Sequence, residues 1–179
     1  MTRKKVTTIV AAATGAAAVL FSPLGCVHLA RRDSGSEASA IGSLRAINSA
    51  QDAYAAACSA VGGYATDLTD LVSPPRGMPQ GFISPDLNVN GVVKSEYIIR
   101  LARDAAPGVM TVGSASNTCN TSTTDPVSSY FASAEPRNAR GQRFFATDSR
   151  GVIFVSKKGP IGNPIRPGPD IQPIDLRPR

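Results

Sequence analysis

The sequence predicts an α+β fold in which a long N-terminal helix, membrane-spanning and then soluble, packs against a small antiparallel β-sheet. Three observations predict it: an apolar run near the N-terminus, a helical stripe of apolar residues soon after it, and several strand-like runs downstream. A sheet that covers the apolar stripe of a helix is a stable two-layer arrangement. The 179 residues leave room for one ordinary domain and a terminal appendage.

The apolar run occupies residues 6–30, "VTTIVAAATGAAAVLFSPLGCVHLA", which hold no formal charge. About 20 such residues cross the hydrocarbon core of a bilayer, so the run predicts a transmembrane anchor. The basic flank at 1–5 predicts an orientation with the N-terminus inside. A cleaved signal peptide has the same pattern and is an alternative. A lipoprotein signal that ends at Cys26, which would then carry the lipid, is another. All three alternatives predict an exported protein.

The charge distribution argues against nucleic acid as a partner. The net charge is +6, but between residues 33 and 165 there are 11 basic and 11 acidic residues. The excess therefore flanks the apolar run and extends into the tail, whereas nucleic-acid binding needs a basic patch on the folded part. The local arginine cluster is interpreted as a solvated surface; its members are Arg137, Arg140, Arg143 and Arg150.

The stretch "EASAIGSLRAINSAQDAYAAAC" at 37–58 predicts the soluble helix. Ile41, Leu44, Ile47 and Tyr54 form an apolar stripe at helical spacing, with Gln51 between them, while the serines, Asn48 and Asp52 are placed on the opposite side. We expect this stripe to pack on the sheet. The "RRDSGSE" segment before it is too short for a flexible linker, so we expect one continuous helix from the anchor, bent or interrupted near Gly35.

Downstream, the pattern predicts loops and strands. A short helical turn in 62–71 is expected to be capped by Thr66 or Asp67, and the proline-rich 72–86 segment is expected to be a loop. Strands are predicted at 94–103, 108–115 and 128–135, followed by a hairpin over 143–157 that turns at 148–151. The predicted domain covers 31–159, and the tail at 160–179, with six prolines, is expected to be disordered.

Three cysteines divide between the two parts of the chain. Cys58 and Cys119 lie in the exported part, and an oxidising compartment favours a disulfide between them. Closing a loop of about 60 residues would contribute roughly 3–4 kcal/mol on the chain-entropy estimate. Two buried free thiols are the alternative. Cys26 is left over within the apolar run, where it is a small hydrophobic residue unless it is lipidated.

The residue inventory does not predict an enzyme. The only histidine is His28, at the end of the apolar run, so the exported part has no Ser-His or Cys-His pair. Asp67 and Asp70, or Asp125 and Asp148, are weak candidates for carboxylate chemistry or calcium binding, because the spacing of a self-contained calcium loop is missing. "NTS" at 120–122 fits an N-glycosylation acceptor. We predict no catalytic residues, cofactor, metal or small-molecule substrate.

Several segments resemble type IV pilin-like proteins and the major pseudopilins of type II secretion systems. In order, they are the 37–58 helix, "GGYATDLTDL", "FISPDL", "TCN" and "GQRFFATDSRGVIF". The resemblance covers about residues 37–156. It implies a hydrophobic N-terminal helix packed on a sheet, and partners among other pilin-like subunits and assembly proteins. With the predicted anchor, it implies a single-pass bacterial inner-membrane protein whose C-terminal domain lies in the periplasm or outside the cell.

The N-terminus departs from this family. Type IV prepilins carry a basic leader that ends in glycine, then a phenylalanine and, five residues into the mature chain, a glutamate. No G-F-x-x-x-E sequence occurs before Ala30. The alternative function is therefore a periplasmic or surface binding module, held by an anchor or by lipid, that does not enter a filament.

Overall fold

The computed structural model describes residues 24–58, 62–138 and 141–174, with side chains from Ser34 onward. These residues form two α-helices and six β-strands. Their bounds are α1 Leu24–Ala57, α2 Leu68–Val72, β1 Val92–Lys94, β2 Tyr97–Arg103, β3 Tyr130–Pro136, β4 Phe144–Asp148, β5 Ile153–Ser156 and β6 Ile171–Pro173.

The six strands form one antiparallel sheet in the order β1-β2-β3-β4-β5-β6. Each strand therefore pairs with its neighbours in the sequence. The register places Ile99 opposite Ala134 and Phe145 opposite Val155. Because side chains alternate between the two faces of a strand, these four residues share the inner face, which packs on α1.

The predicted fold class is wrong in its membrane-spanning helix. Within the described residues, neither helix is long and apolar enough to cross a bilayer. The physical reason is the charge that α1 carries: Arg31, Arg32, Asp33 and Glu37 follow one another closely, and a charged side chain at bilayer depth costs several kcal/mol. The proposed start of the anchor, residues 6–23, lies outside the described residues. The helix itself runs through Gly35 without interruption.

The core forms between one side of α1 and the inner face of the sheet. Leu44, Ile47 and Tyr54 have no exposed surface, as predicted, and Ile41 is half-buried at the edge of the same cluster. Opposite them lie the inner residues of the central strands, Tyr97, Ile99, Leu101, Tyr130, Ala132, Ala134, Phe145 and Ile153. Burial of one such aliphatic side chain contributes about 1.5–3 kcal/mol.

Two polar side chains lie on the buried side of α1: Gln51, which the stripe already included, and Ser43, whose predicted position on the polar side is wrong. Ser43 is buried, and its hydroxyl donates to the Ser39 carbonyl at 3.0 Å. Gln51 is fully buried, and its side-chain amide both donates to the carbonyl of Ala65 at 2.7 Å and accepts from its N–H at 2.9 Å. Their short spacing from the apolar residues places them on the buried side, where internal hydrogen bonds offset the loss of water.

Glu37 connects α1 to the sheet through an ion pair with Arg143. It lies well inside α1 and not at its first turn. Its carboxylate accepts from the backbone N–H of Arg143 at 3.1 Å and from the guanidinium Nε of Arg143 at 3.0 Å. This ion pair fixes α1 to the start of β4. Because the guanidinium of Arg143 donates hydrogen bonds to the Glu37 carboxylate, its pKa is raised, and it therefore stays charged.

The predicted hairpin is confirmed: β4 and β5 pair, and the Gly151 N–H donates to the Asp148 carbonyl at 2.8 Å across the turn. The strand predicted at 108–115 is wrong. Thr111 forms only an isolated bridge with Val127, because Pro107 and the positive φ of Gly108 interrupt the extended conformation. The strand predicted at 94–103 is confirmed over β2, Tyr97–Arg103, whereas Lys94 belongs to β1 and residues 95 and 96 form the turn between the two strands.

The turn between β1 and β2 is formed by two non-glycine residues with positive φ, Ser95 at 47° and Glu96 at 68°. Two consecutive positive φ values are typical of the tight turn that matches strand twist, which normally uses asparagine or glycine. The register, with Lys94 opposite Tyr97, imposes this turn.

The tail predicted to be disordered is instead ordered as far as residue 174. We define residues 160–174 as the C-terminal strap. Ile161 and Ile165 are buried against Phe131, Ala146 and Phe154 on the outer face of the sheet. The end of the strap forms β6, which pairs with β5. Prolines favour extended backbone, so they support this crossing segment and do not by themselves indicate disorder.

We predict that Leu44→Asp destabilises the protein by at least about 3 kcal/mol, because it places an unpaired charge in the core. Ser49→Asp, five residues along on the exposed side of α1, is the matched control and should change the unfolding free energy by less than about 0.5 kcal/mol. Chemical denaturation of the two variants measures both. Equal losses would mean that the buried side is assigned incorrectly.

We predict that Ile165→Ala costs about 2–4 kcal/mol, since it removes a buried side chain from the contact of the strap with the sheet. Arg166→Ala, at the adjacent exposed position, should be nearly neutral. Thermal unfolding of the pair provides the measurement, and indistinguishable midpoints would contradict an ordered strap.

Candidate functional site

The longest connection in the described domain joins β2 to β3. We call residues 104–129 the anchored loop. Its regular structure is limited to one short 3-10 turn, Ala115–Asn117, and to isolated β-bridges. Connections of this length without regular structure are uncommon in compact domains and are usually functional. The loop is therefore the first place to look for a site.

A disulfide attaches this loop to the end of α1. Cys58 and Cys119 are bonded, with their Cα atoms 4.6 Å apart, so the predicted pairing is confirmed. The backbone supports the same contact, because the Cys119 N–H donates to the Cys58 carbonyl at 3.2 Å. The Arg76 N–H in turn donates to the Cys119 carbonyl at 3.1 Å. Cys119 is thus held by hydrogen bonds as well as by its sulfur.

A second attachment centres on Asp70, a residue of α2 that is buried. One carboxylate oxygen accepts from the N–H and hydroxyl of Thr123, at 2.5 and 2.8 Å. The other accepts from the N–H and hydroxyl of Thr124, at 3.2 and 2.6 Å. Four donors therefore satisfy the carboxylate within the protein. Hydrogen bonds to a charged acceptor are stronger than those between neutral groups.

Asn120 and Ser122 complete this polar network. The Asn120 amide donates to the carbonyls of Asp70 at 2.6 Å and Ser73 at 3.2 Å, which caps the end of α2. The Ser122 hydroxyl donates to the Asn120 side-chain oxygen at 2.9 Å and shares a 2.6 Å hydrogen bond with the Tyr54 hydroxyl. Asn120 is only 8% exposed. Its amide is therefore engaged internally, and the glycosylation motif does not present an acceptor at the surface.

Between these anchors the backbone is strained at Thr121, whose φ is 51°. A β-branched residue with positive φ is a genuine outlier, and such strain persists only where the surroundings fix it. Here Cys119 and Asn120 on one side and Ser122 on the other are all bound to the helices. The Thr121 side chain itself is exposed.

The first part of the anchored loop, residues 104–110, is called its tip and exposes the apolar side chain of Met110. The Arg103 guanidinium donates to the Val109 carbonyl, and Asp104 accepts from the Ala106 N–H at 2.9 Å and from the Ser129 hydroxyl at 2.7 Å. These contacts hold the tip rigidly while Met110 stays 60% exposed. The signal for this rigid tip, adjacent Arg and Asp at the end of a strand, was not read from the sequence.

The other carboxylates named from the sequence do not converge. Asp67 caps α2 through the Thr69 N–H at 2.9 Å and also accepts from Asn90 at 2.8 Å, so its predicted capping role is confirmed. Asp125 accepts from the Ala115 N–H at 2.8 Å, and Asp148 pairs with Arg150. Across the described ranges, no group of three potential ligands is placed to hold a metal ion.

The arginine cluster is separated by the fold. Arg143 pairs with Glu37 at the start of β4, and Arg150 pairs with Asp148 at its end and lies over the Phe154 ring at 5.0 Å. The hydrogen bonds that the Arg150 guanidinium donates to Asp148 raise its pKa. Arg140, like the side chain of the lipidation candidate Cys26, lies outside the described residues.

An open groove lies beside α2, with a volume of about 520 Å³. Its lining comes from the proline-rich segment: Val72, Pro74, Pro79, Gln80, Gly81, Phe82, Ile83, Ser84 and Pro85. Gly81 is required there, because a side chain would collide with the Val72 carbonyl. The Phe82 and Ile83 N–H groups both donate to the Leu71 carbonyl, at 2.7 and 3.2 Å, which fixes the floor of the groove.

The exposed side of α1 forms a continuous ridge of small residues. We call it the α1 ridge; its members are Gly42, Ala46, Ser49, Ala53 and Ala56. They repeat at alternating spacings of four and three, so they lie on one helical face. A Cβ built on Gly42 would contact nothing within 4 Å. The ridge is therefore smooth and accessible.

Comparison of the chain with protein-family models, curated proteins and solved structures gives no match.

The Ser122 hydroxyl of the anchored loop contacts the Tyr54 phenol and the Asn120 amide, neither of which is a general base at neutral pH. The anchored loop, the groove and the α1 ridge instead offer three preformed surfaces.

We predict that stability falls as the pH rises above about 10, the ordinary pKa of tyrosine. Burial raises the pKa of Tyr54 and of Tyr130. A raised pKa means that the folded state favours the protonated phenol, so this stabilisation is complete below the unfolded pKa and is lost above it. Absorbance titration should show that at least two tyrosines ionise only as the protein unfolds.

Tyr130→Phe tests the assignment. It loses the hydrogen bond to the Asn48 side chain and should cost about 1 kcal/mol near neutral pH. Its stability should then fall less steeply with alkaline pH than that of the parent protein. An unchanged slope would contradict the assignment.

Proposed function

We propose that this protein is an exported, non-enzymatic structural or assembly subunit that works beside pilin-like proteins in a type IV pilus or type II secretion apparatus. The segments that resemble pilin-like proteins, which follow one another in the same order over residues 37–156, support it. Export through the segment at 6–30 would place the domain in the periplasm or outside the cell. The Cys58–Cys119 disulfide is consistent with such an oxidising compartment.

The observation that carries the proposal is the α1 ridge. Small side chains let the backbone of a second helix approach closely, and the distance between packed helices is set by the side chains at the contact. No bulky or charged side chain interrupts the five ridge positions, although Arg45 and Asp52 lie on the exposed side as well. The ridge therefore fits the helix of another subunit.

Site-specific cross-linking in cells tests this proposal. Cysteine is introduced at Ala46 or at Ala53, two ridge positions separated by seven residues, in the full chain. A short reagent with a maleimide at one end and a photoreactive diazirine at the other, which inserts into any nearby side chain, should then join either variant to a pilin-like subunit. Mass spectrometry of the cross-linked peptides identifies the partner and the position.

Lys157→Cys is the control, because this residue is exposed directly after β5 and is not a member of the ridge. The unsubstituted chain controls for reaction at Cys26. Cross-links to pilin-like proteins from Lys157→Cys alone, or from none of the variants, would contradict the proposal.

The alternative function is a periplasmic or surface binding module, and the groove beside α2 is the observation that favours it. Gln80 lines the groove and is exposed. Under the same conditions, Gln80→Cys would capture a partner that Ala46→Cys and Ala53→Cys do not. The mass of the mature protein would also separate a retained anchor, a cleaved signal and a lipid at Cys26.

A further inference from the structure

We propose that Asp70 is a positioning residue for the disulfide. It holds residues 119–124 against α2, so that the Cys119 thiol lies beside the Cys58 thiol in the folded protein before the two are oxidised. The pair would then form its bond in a preformed arrangement.

The first part of the argument is that contacts other than the disulfide bring Cys119 to Cys58. The Cys119 N–H donates both to the Cys58 carbonyl at 3.2 Å and to the Cys58 sulfur at 3.1 Å. The Arg76 N–H holds the Cys119 carbonyl from the other side. None of these three contacts requires the S–S bond.

The second part is that these contacts depend on the position of the whole segment, which Asp70 fixes. The segment contains no helix or strand that would position it alone. The Asp70 carboxylate receives two donors from each of Thr123 and Thr124. Its backbone carbonyl receives the Asn120 amide at 2.6 Å. One buried residue thus binds the segment on the C-terminal side of Cys119 at three residues.

The third part connects Asp70 to Cys58. Gln51 of α1 holds both backbone groups of Ala65, shortly before α2, and Leu68 and Leu71 of α2 are fully buried in the core. Asp70 is therefore fixed relative to α1, whose end carries Cys58. A rigid connection on both sides raises the effective concentration of one thiol near the other.

The oxidation itself is thiol–disulfide exchange with a small disulfide such as oxidised glutathione. The Cys119 thiolate, at the more exposed position, attacks one sulfur and releases one glutathione thiolate. The Cys58 thiolate then attacks the Cys119 sulfur of the mixed disulfide and releases the second glutathione. The two cysteines lose two electrons and two protons, and the oxidant becomes two glutathione molecules.

The experiment measures the effective concentration of the two thiols. The full chain in detergent is equilibrated with reduced and oxidised glutathione, quenched by alkylation and digested. Mass spectrometry of the peptides that contain Cys58 and Cys119 gives the oxidised fraction without interference from Cys26. Circular dichroism of the fully reduced protein reports whether each variant is folded.

Asp70→Asn should lower the effective concentration by about tenfold or more, because the amide cannot accept from all four donors and hydrogen bonds to a charged group are the strong ones. Asp67→Asn is the matched control. It weakens the cap of the same short helix but does not contact residues 119–124, so its effective concentration should stay within about twofold of the parent value.

An unchanged value for a folded Asp70→Asn would overturn the proposal. So would an equal fall in Asp67→Asn, since the effect would then come from the stability of α2 alone. If reduced Asp70→Asn does not fold, Thr123→Val decides. It removes the 2.8 Å hydrogen bond that the Thr123 hydroxyl donates to the Asp70 carboxylate and retains the side-chain shape. A fall of about threefold or more supports the proposal, and a smaller change contradicts it.

Discussion

The domain depends on the burial of one side of α1 against the inner face of the sheet. Leu44, Ile47 and Tyr54 pack on the inner face of the sheet, where four strands contact α1. Without α1, these strands would have no common partner. Glu37 contacts Arg143, and Asn48 further along α1 contacts Tyr130 and the turn at Gly151. The apolar contact supplies the free energy, while these directional bonds fix how the helix lies along the sheet.

The buried polar groups extend this packing to parts of the chain without regular structure. Gln51 connects α1 to the segment before α2, and Asp70 connects α2 to the anchored loop. Each is costly to bury unless every polar atom finds a partner, and here the partners are backbone groups and hydroxyls. The hydrogen bonds therefore select one arrangement of the loop, which apolar packing alone would leave variable.

Much of the regular structure could be predicted from the sequence, because its signals are local. The stripe that contains Leu44 and the turn at Asp148–Gly151 each depend on residues close together in the chain. The cysteine pair followed from number and compartment. The burial of Ser43 could not be predicted from residue polarity, since its hydroxyl is satisfied within the helix by the Ser39 carbonyl. Gln51 fell within the stripe, but the stripe does not reveal Ala65 as its partner.

The candidate site was the least predictable part. The hydrogen bonds of Asp70 cross more than 50 residues of sequence, so no local pattern marks Thr123 and Thr124 as its partners. The strap was misread for a related reason: its isolated isoleucines have no periodicity, and only the facing Phe131 and Phe154 show why they are buried. The charges that exclude a bilayer span from α1 were visible, but the adjoining apolar run led to the wrong interpretation.

The strap has a consequence for the geometry of recognition. β4 is buried at every position, and β3 at all but one, since α1 covers one side of these strands and Ile161 and Ile165 cover part of the other. The centre of this sheet therefore offers no flat surface to which another molecule could bind. Another molecule must approach along the helix, at the short outer strands or over the loops, so recognition becomes a property of the periphery of the domain.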